Sequence, residues 1–497
     1  MNKYKELCEF YRKIKHLENI AGIIHWDTAT TMPIGSAEYR AEDTATLHSI
    51  MHQMLSSNQL GDLIAAIEDP HLDSWQRANI REIIRSRKNA LALEPRLVEL
   101  ATKETTVCEM VWRTARKNND FKMLLPNLQK VISITIDIAK SRGDYFNTTP
   151  YEALLDIYDP GRKTADIEKI CSELRNFLPD FIKKVVGKQK SKTIKPFESK
   201  QFSETSQKEL GLYCMKKLGF DFSMGKLDIS THPFCGGSLG DTRLTTRYDQ
   251  KDFLSGLMGI MHETGHALYQ QNLPKKYKDQ EVGGPRGMTI HESQSLLAEI
   301  HIGSSRSFME FIQPKILEIF KVSGAEYSVD NLYNMKNKVK PSFIRVDADE
   351  VTYPAHIILR FDLEKEIISG NLQAKDLPDA WAKGMTDLLG VKPNNDSNGC
   401  MQDIHWPSGT FGYFPTYLLG AIVSAQLFAK IKESNTSVSG DIRAGNFSGI
   451  IEWMKQNVHS KGCLCSVSDL LIHATGRDID HTCYIKHLER KFIETVS

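Results

Sequence analysis

The chain has 497 residues, 41% apolar and 25% charged, and its 63 lysines and arginines nearly cancel 62 acidic residues, leaving a net charge of +1. That is an ordinary globular composition with length enough for a large core, and it argues against a disordered chain or a generic partner for nucleic acid. Apolar runs stay short and broken, well below the roughly 20 residues of a bilayer span, so neither a transmembrane helix nor a membrane partner is expected.

The N-terminal stretch MNKYKELCEFYRKIKHLENIAG spreads its charges throughout and lacks the signal-peptide core of about 7 to 15 apolar residues. Nine cysteines, an odd number with no C-x-x-C pair, fit reduced thiols, and the expected location is cytoplasmic. Cys463 and Cys465 form the only close pair and read as free thiols rather than a metal site. Along most of the chain apolar residues recur at three-to-four spacing, so the fold class is mainly α. Ile83, Ile84, Leu91, Leu97, Leu100, Val107 and Val111 show this rhythm, and Pro126 marks the expected start of a helix ending near Arg142. The lysine-rich stretch 183–200 lacks interleaved aromatics and reads as solvated surface. Lys226 to Tyr248 breaks the helical pattern with β-branched runs on either side of a glycine-rich turn, which predicts a β-hairpin. A second break, rich in Gly, Asn and Pro, runs from Val391 to Tyr413 and leads into a helix over Tyr413 to Leu427.

Between these breaks the segment MHETGHALYQQ carries His262, Glu263 and His266 in an H-E-x-x-H spacing. Phe253, Leu254, Leu257, Met258, Met261, Leu268 and Tyr269 fall on one apolar side of the same predicted helix, and Pro274 follows its end. Four residues make about one helical turn, so both imidazoles project from one face and can hold one Zn²⁺, while Glu263 is rotated to meet its water. Zinc lowers the pKa of that water to about 7, and a neighbouring carboxylate takes the proton, which suits peptide hydrolysis. Chance supplies such a motif only about 0.03 times in a chain of this histidine content. Two surface histidines one turn apart are the plain alternative, and the apolar residues beside them argue against it.

A catalytic zinc takes three protein ligands and keeps one position open. Glu292, 26 residues after His266 in THESQSLLAEI, opens a second predicted helix and is the candidate. The competing reading is a capping box, Thr289-x-x-Glu292, in which the carboxylate returns to the Thr289 amide. Glu299, two turns further along that face, is a rival placed at best behind the ligands.

These residues begin a resemblance to the Taq-type metallocarboxypeptidases, peptidase family M32. Besides HEtGH and HESQ it rests on D-x-R-x-T at Asp241, Arg243 and Thr245, on I-R-x-x-A-D from Ile344 to Asp349, and on G-x-x-Q-D-x-H-W from Gly399 to Trp406. HWD at His25 to Asp27 and FGYFPTY at Phe411 to Tyr417 are also similar to the family. The resemblance implies one catalytic domain over 1–497, with two helical lobes around a deep groove and a small sheet lining the cleft. It implies one zinc on His262, His266 and Glu292, with Co²⁺ a possible substitute, and a homodimer. Arg477 stands in ATGR where the family would have ATGE, a departure that touches local packing or assembly more than chemistry.

The other motifs have physical readings of their own. An enzyme that removes the last residue of a peptide must recognise a free C-terminal carboxylate, and an arginine fork matches it bidentately. Arg345 is the first choice, and Arg243, in a hairpin whose edge could pair with an extended substrate, the second. Each could instead be a structural ion pair, Arg345 with Asp349 or Arg243 with Asp241. His405 and Tyr413 are the expected donors to the oxyanion, as the resemblance to helical zinc peptidases implies, with Tyr417 one turn away as the alternative. The expected function is therefore a zinc carboxypeptidase releasing single C-terminal residues from peptides. A peptidyl-dipeptidase or oligopeptidase on the same scaffold, and a helical assembly protein that holds a metal without catalysis, are the alternatives; the intact Glu263 argues against the last.

Overall fold

The computed structural model describes residues 3–68, 72–197, 201–230 and 232–494. The first half runs through α1 (Lys3–Thr30), α2 (Ala37–Ser56), α3 (Asn58–Ala65), α4 (Ser74–Leu91), α5 (Pro95–Asn118), α6 (Phe121–Phe146), α7 (Pro150–Tyr158), α8 (Thr164–Gln189) and α9 (Glu204–Leu218). Three strands, β1 (Gly225–Ile229), β2 (Cys235–Ser238) and β3 (Asp241–Thr246), precede α10 (Phe253–Gln271) and α11 (Gly287–Leu296). The chain continues through α12 (Arg306–Phe320), α13 (Val329–Lys336), α14 (Tyr353–Ser369), α15 (Leu377–Leu389) and α16 (Phe414–Ser434). Four short helices follow, α17 (Val438–Arg443), α18 (Ser448–Asn457), α19 (Val467–Thr475) and α20 (His481–Glu489). The mainly helical expectation holds.

Side-chain caps set the helix starts. Asp252 accepts from the backbone N–H groups of Leu254 and Ser255 and opens α10 where the apolar periodicity begins. Asp120 does the same for α6 through Met123, so this helix starts ahead of Pro126 and not at it. Pro126 lies inside the helix, where it forfeits one backbone bond that the flanking turns absorb.

The predicted hairpin is half of what forms. β2 and β3 pair antiparallel through a turn at Leu239 and Gly240, but β1 runs parallel to β3 on its other side, giving the order β1-β3-β2. Gly236 and Gly237, the glycines of the expected turn, belong to β2. The parallel pairing was hidden because nothing in a short β-branched run states its partner's direction.

Two large apolar clusters fill the interior. One joins α5 to α8 with α14, α15, α20 and the first half of α16; the other joins α9, α10, α12 and α17 to α19 with the second half of α16. Leu418 and Ile422 face the first cluster, and Val423 and Leu427 the second. By length and composition α16 could cross a bilayer, yet 83% of its apolar window is buried inside the fold, as a core helix requires.

Candidate metal centre

The imidazoles of His262 and His266 lie one turn apart on α10, edge to face, with ring centroids 5.1 Å apart. Between them Gly265 is the point at which α11 crosses. A Cβ there would lie 2.3 Å from the Gln294 carbonyl oxygen and 2.6 Å from the Ser295 Cα, so only glycine admits this approach. Gly420 of α16 presses from the other side, where a Cβ would come within 2.7 Å of Glu292 Cγ. Squeezed between them, Glu292 sets its Oε2 3.4 Å from His266 Nε2 and 3.9 Å from His262 Nε2. The capping box is not made: Thr289 donates its hydroxyl to Asp159 Oδ2 at 2.8 Å, and α11 starts earlier, at Gly287.

One ligand atom from each of His262, His266 and Glu292 lies within 4.8 Å of the others, so the three could hold a metal ion. Bonds of about 2.0 to 2.1 Å in a tetrahedral site put ligand atoms about 3.3 to 3.4 Å apart, and two imidazoles with one carboxylate are a donor set that zinc accepts. The far nitrogen of each histidine is occupied. His262 Nδ1 meets Glu299 Oε2 at 3.1 Å, and Glu299 is itself held by Lys336 Nζ at 2.9 Å. His266 Nδ1 meets His291 Nδ1 at 2.6 Å, whose other nitrogen faces the Gln270 carboxamide at 2.9 Å. Such partners fix the ring orientation and leave each Nε2 free for a cation. Glu299 reaches His262 because the chain leaves α11 through a π-helical turn, Leu297–Gly303, which shifts the side-chain phase.

Electrostatics point the same way. Burial would lower the His262 pKa, but Glu292, the hydrogen bond to Glu299 and Glu263 override it and lift it to about 10, which marks a place that favours positive charge. Glu292 is buried yet held below its ordinary value by the two imidazoles, and burial pushes Glu263 up. Glu263 Oε2 is buried and has no hydrogen-bond partner, an orphan acceptor beside the triad, as a group waiting for an incoming water would be. His291 is kept neutral, first by burial and then by the neighbouring imidazoles.

A cavity of about 1160 Å³ runs past these groups, lined by His262, Glu263, Glu292, Arg345, His405 and Tyr417 among others. Arg345 is buried in its wall and pairs with Asp403, with Nε and Nη2 each 2.9 Å from Oδ1. Its ion-pair partner is therefore Asp403 and not Asp349, whose carboxylate caps the backbone at Lys340, Val351 and Thr352. Arg360 takes the other oxygen of Asp403, with Nε at 2.7 Å, so one carboxylate serves two guanidiniums. The Arg345 guanidinium lies over the rings of Phe414 and Tyr417. Arg243 is placed differently: it sits on the central strand β3, not on an edge, holds Asp241 with Nε at 2.9 Å and covers the Trp26 ring, outside the residues that line the cavity.

His405 faces Tyr417 Oη at 3.4 Å, has an unpartnered Nδ1, and burial lowers its pKa to about 3, so the ring is neutral. Tyr413 and Tyr417 pack at 5.1 Å between centroids; burial raises both phenols, Tyr417 to about 12, and Tyr417 lines the cavity while Tyr413 stands behind it. Two residues escaped the sequence reading, His291 and Asp403. His291 abuts Glu292 in the same motif, and Asp403 lies in G-x-x-Q-D-x-H-W, but their partners are set only by tertiary packing. Arg477 pairs locally with Asp480 at 2.8 Å on the surface.

Comparison with known proteins gives one answer along the whole chain. The sequence matches the carboxypeptidase Taq (M32) metallopeptidase family over residues 6–492. It is 34% identical to carboxypeptidase 1 of Bacillus subtilis over 98% of this chain and 97% of that one, and 34% identical to thermostable carboxypeptidase 1 of Thermus thermophilus over 98% of each. The fold superposes on Trypanosoma cruzi metallocarboxypeptidase 1 with a TM-score of 0.96 at 37% identity, covering 99% of both chains.

Proposed function

The chain belongs to the carboxypeptidase Taq (M32) family of metallopeptidases, and from that premise we propose that it is a zinc enzyme releasing single C-terminal residues from peptides. The observation that carries this reading is that His262 and Glu292 of the metal triad, together with Glu263, whose Oε2 has no partner, and Arg345, line one cavity. His262, His266 and Glu292 would hold the ion. When bound there, zinc supplies Lewis acidity, bringing water toward neutral pKa and polarising a carbonyl.

The chain's own residues do the rest. Arg345 binds the terminal carboxylate of the peptide, and because Asp403 is already shared with Arg360, its guanidinium retains attraction for a second anion. Glu263 accepts the proton of the attacking water at Oε2 and returns it to the leaving amine. Its raised pKa, a consequence of burial, suits a group that must both take and give a proton near neutrality. His405 and Tyr417 donate to the oxygen on which charge builds: neutral His405 offers an N–H, Tyr417 its phenol, and Tyr413 packs against Tyr417 and supports it. Arg243 serves the sheet, through Asp241 and Trp26. We read the two apolar clusters as two lobes of one catalytic domain in a cytoplasmic homodimer, with Co²⁺ able to replace zinc.

The test is metal analysis together with mass spectrometry of a peptide digest, before and after chelation. Release of free amino acids that stops on chelation and returns with zinc supports the proposal; release of dipeptides would transfer the chain to the dipeptidase reading.

A further inference from the structure

Glu364 lies on α14, one turn beyond Arg360, with no exposure to solvent, and the chemistry above does not use it. Its carboxylate accepts three hydrogen bonds: from Tyr151 Oη at 2.8 Å, from Trp406 Nε1 at 2.9 Å and from the Gly412 backbone N–H at 3.0 Å. Tyr151 belongs to α7. The other two donors belong to one loop, between α15 and α16, and each sits next to a residue that the proposed chemistry uses: Trp406 follows His405, which lines the cavity, and Gly412 precedes Tyr413, which backs Tyr417.

The same helix holds the start of that loop as well. Arg360 binds Asp403 and reaches the Gln402 carboxamide oxygen at 2.8 Å. Two residues one turn apart on α14 thus fasten the loop near positions 402–403, at 406 and at 412. Burial pushes the Glu364 carboxyl up to about 7 in spite of its three donors. A hydrophobic side chain of similar size would fill this site without that electrostatic penalty, but it could not bind an indole N–H and a backbone N–H six residues apart.

We propose that Glu364 is a positioning residue for peptide hydrolysis, holding the 402–413 loop so that His405 and the Tyr413–Tyr417 pair meet the developing oxyanion. This rests on the donor roles assigned to His405 and Tyr417 and on the support that Tyr413 gives Tyr417. The metal triad lies on α10 and α11, and the end of the loop that meets Arg345, Gln402 and Asp403, is anchored by Arg360, so Glu364 acts on turnover and leaves metal content and substrate affinity in place.

The test compares Glu364→Gln in the wild type and in a Tyr417→Phe, His405→Leu background, with kcat, KM and zinc content measured on a short free-acid peptide. The amide keeps the shape but offers N–H where N–H groups already point. In the wild type it should cut kcat about tenfold or more, with KM within about threefold and zinc content unchanged. In the background variant it should cost kcat almost nothing further, because the groups it places are already gone. A wild-type kcat that survives Glu364→Gln, or the same loss in both backgrounds, would overturn the proposal. Should the background variant itself keep full kcat, the donor roles fall first, and that result is separate from any effect of Glu364. If Glu364→Gln does not fold, Trp406→Phe and Tyr151→Phe decide. Each removes one donor to the same carboxylate, one on the loop and one off it, so kcat should fall in the first and stay within about twofold in the second. Equal losses in the two would overturn the positioning role.

Discussion

Glu263 and His266 are neighbours on α10 with separable jobs, and their variants should part company accordingly. His266→Ala removes a metal donor, and both metal content and activity should be lost. Glu263→Gln leaves the three donors of the triad intact; zinc content measured by atomic absorption should stay near one per chain while kcat collapses by about 10² or more, since among the described residues no other carboxylate lining the cavity has an unpartnered buried oxygen beside the triad. Full turnover in Glu263→Gln would end the proposed base role. For Arg345 the fold itself makes the experiment clean. Arg345→Gln leaves Asp403 paired with Arg360, so no buried charge is stranded. The protein should fold, and kcat/KM on free-acid peptides should drop by about 2 kcal/mol or more, roughly thirtyfold. Arg243→Gln, away from the cavity, should affect stability and not kcat/KM; the reverse pattern would exchange the two roles. C-terminally amidated peptides should be poor substrates of the wild type.

At the scale of elements, the site is the crossing of α10 and α11 under α16, and the crossing depends on hydrogen atoms where side chains would stand. Gly265→Ala must push α11 away from α10 by an ångström or more, since the Cβ would otherwise rest 2.3 Å from a carbonyl oxygen. The expected result is a folded protein whose zinc affinity falls by at least about tenfold, read by competition with a chromogenic chelator. Tight zinc binding in Gly265→Ala would show that the crossing tolerates more than its geometry allows. The sequence made α10 legible, because the H-E-x-x-H spacing and the apolar face share one period of 3.6 residues. It also placed Glu292 on the next helix. What it could not state was how α11 reaches α10. The x-x of the motif, Thr264 and Gly265, looks like a spacer, and only the crossing shows that its glycine is a contact. The same limit explains β1, whose parallel partner lies beyond an intervening strand, and Asp403, whose two arginines come from α14 and from the turn before it. Pro126 misled for a local reason: a proline marks a helix start only when no stronger cap stands upstream, and Asp120 does.

Over the whole molecule, three partly buried carboxylates, Glu281, Glu350 and Asp403, tie distant segments. Burial alone would raise them, but Lys15 holds Glu281 down to about 2, Lys491 with His487 holds Glu350 below the usual range, and Arg360 with Arg345 does the same for Asp403. Each is ionised in the folded chain at a pH where the unfolded chain has begun to protonate it. Their stability is therefore present above about pH 4.5 and lost as pH falls toward about 2. Thermal midpoints measured at about pH 6 and about pH 3.5 should differ by several degrees, and Glu350→Gln should narrow the gap. A midpoint flat over that range would discount these pairs. α16 has a further consequence, which concerns the order in which the chain is made. Its apolar window leaves the ribosome before α20, the helix that covers part of it, has been synthesised. Until α20 arrives, a segment hydrophobic enough for a bilayer is without part of its cover, exposed to chaperones and to the membrane-insertion machinery alike. Release of a ribosome-bound chain stalled between α16 and α20 should yield a sticky, protease-sensitive product, and the docking of α20 would be the step that commits this apolar segment to the protein interior.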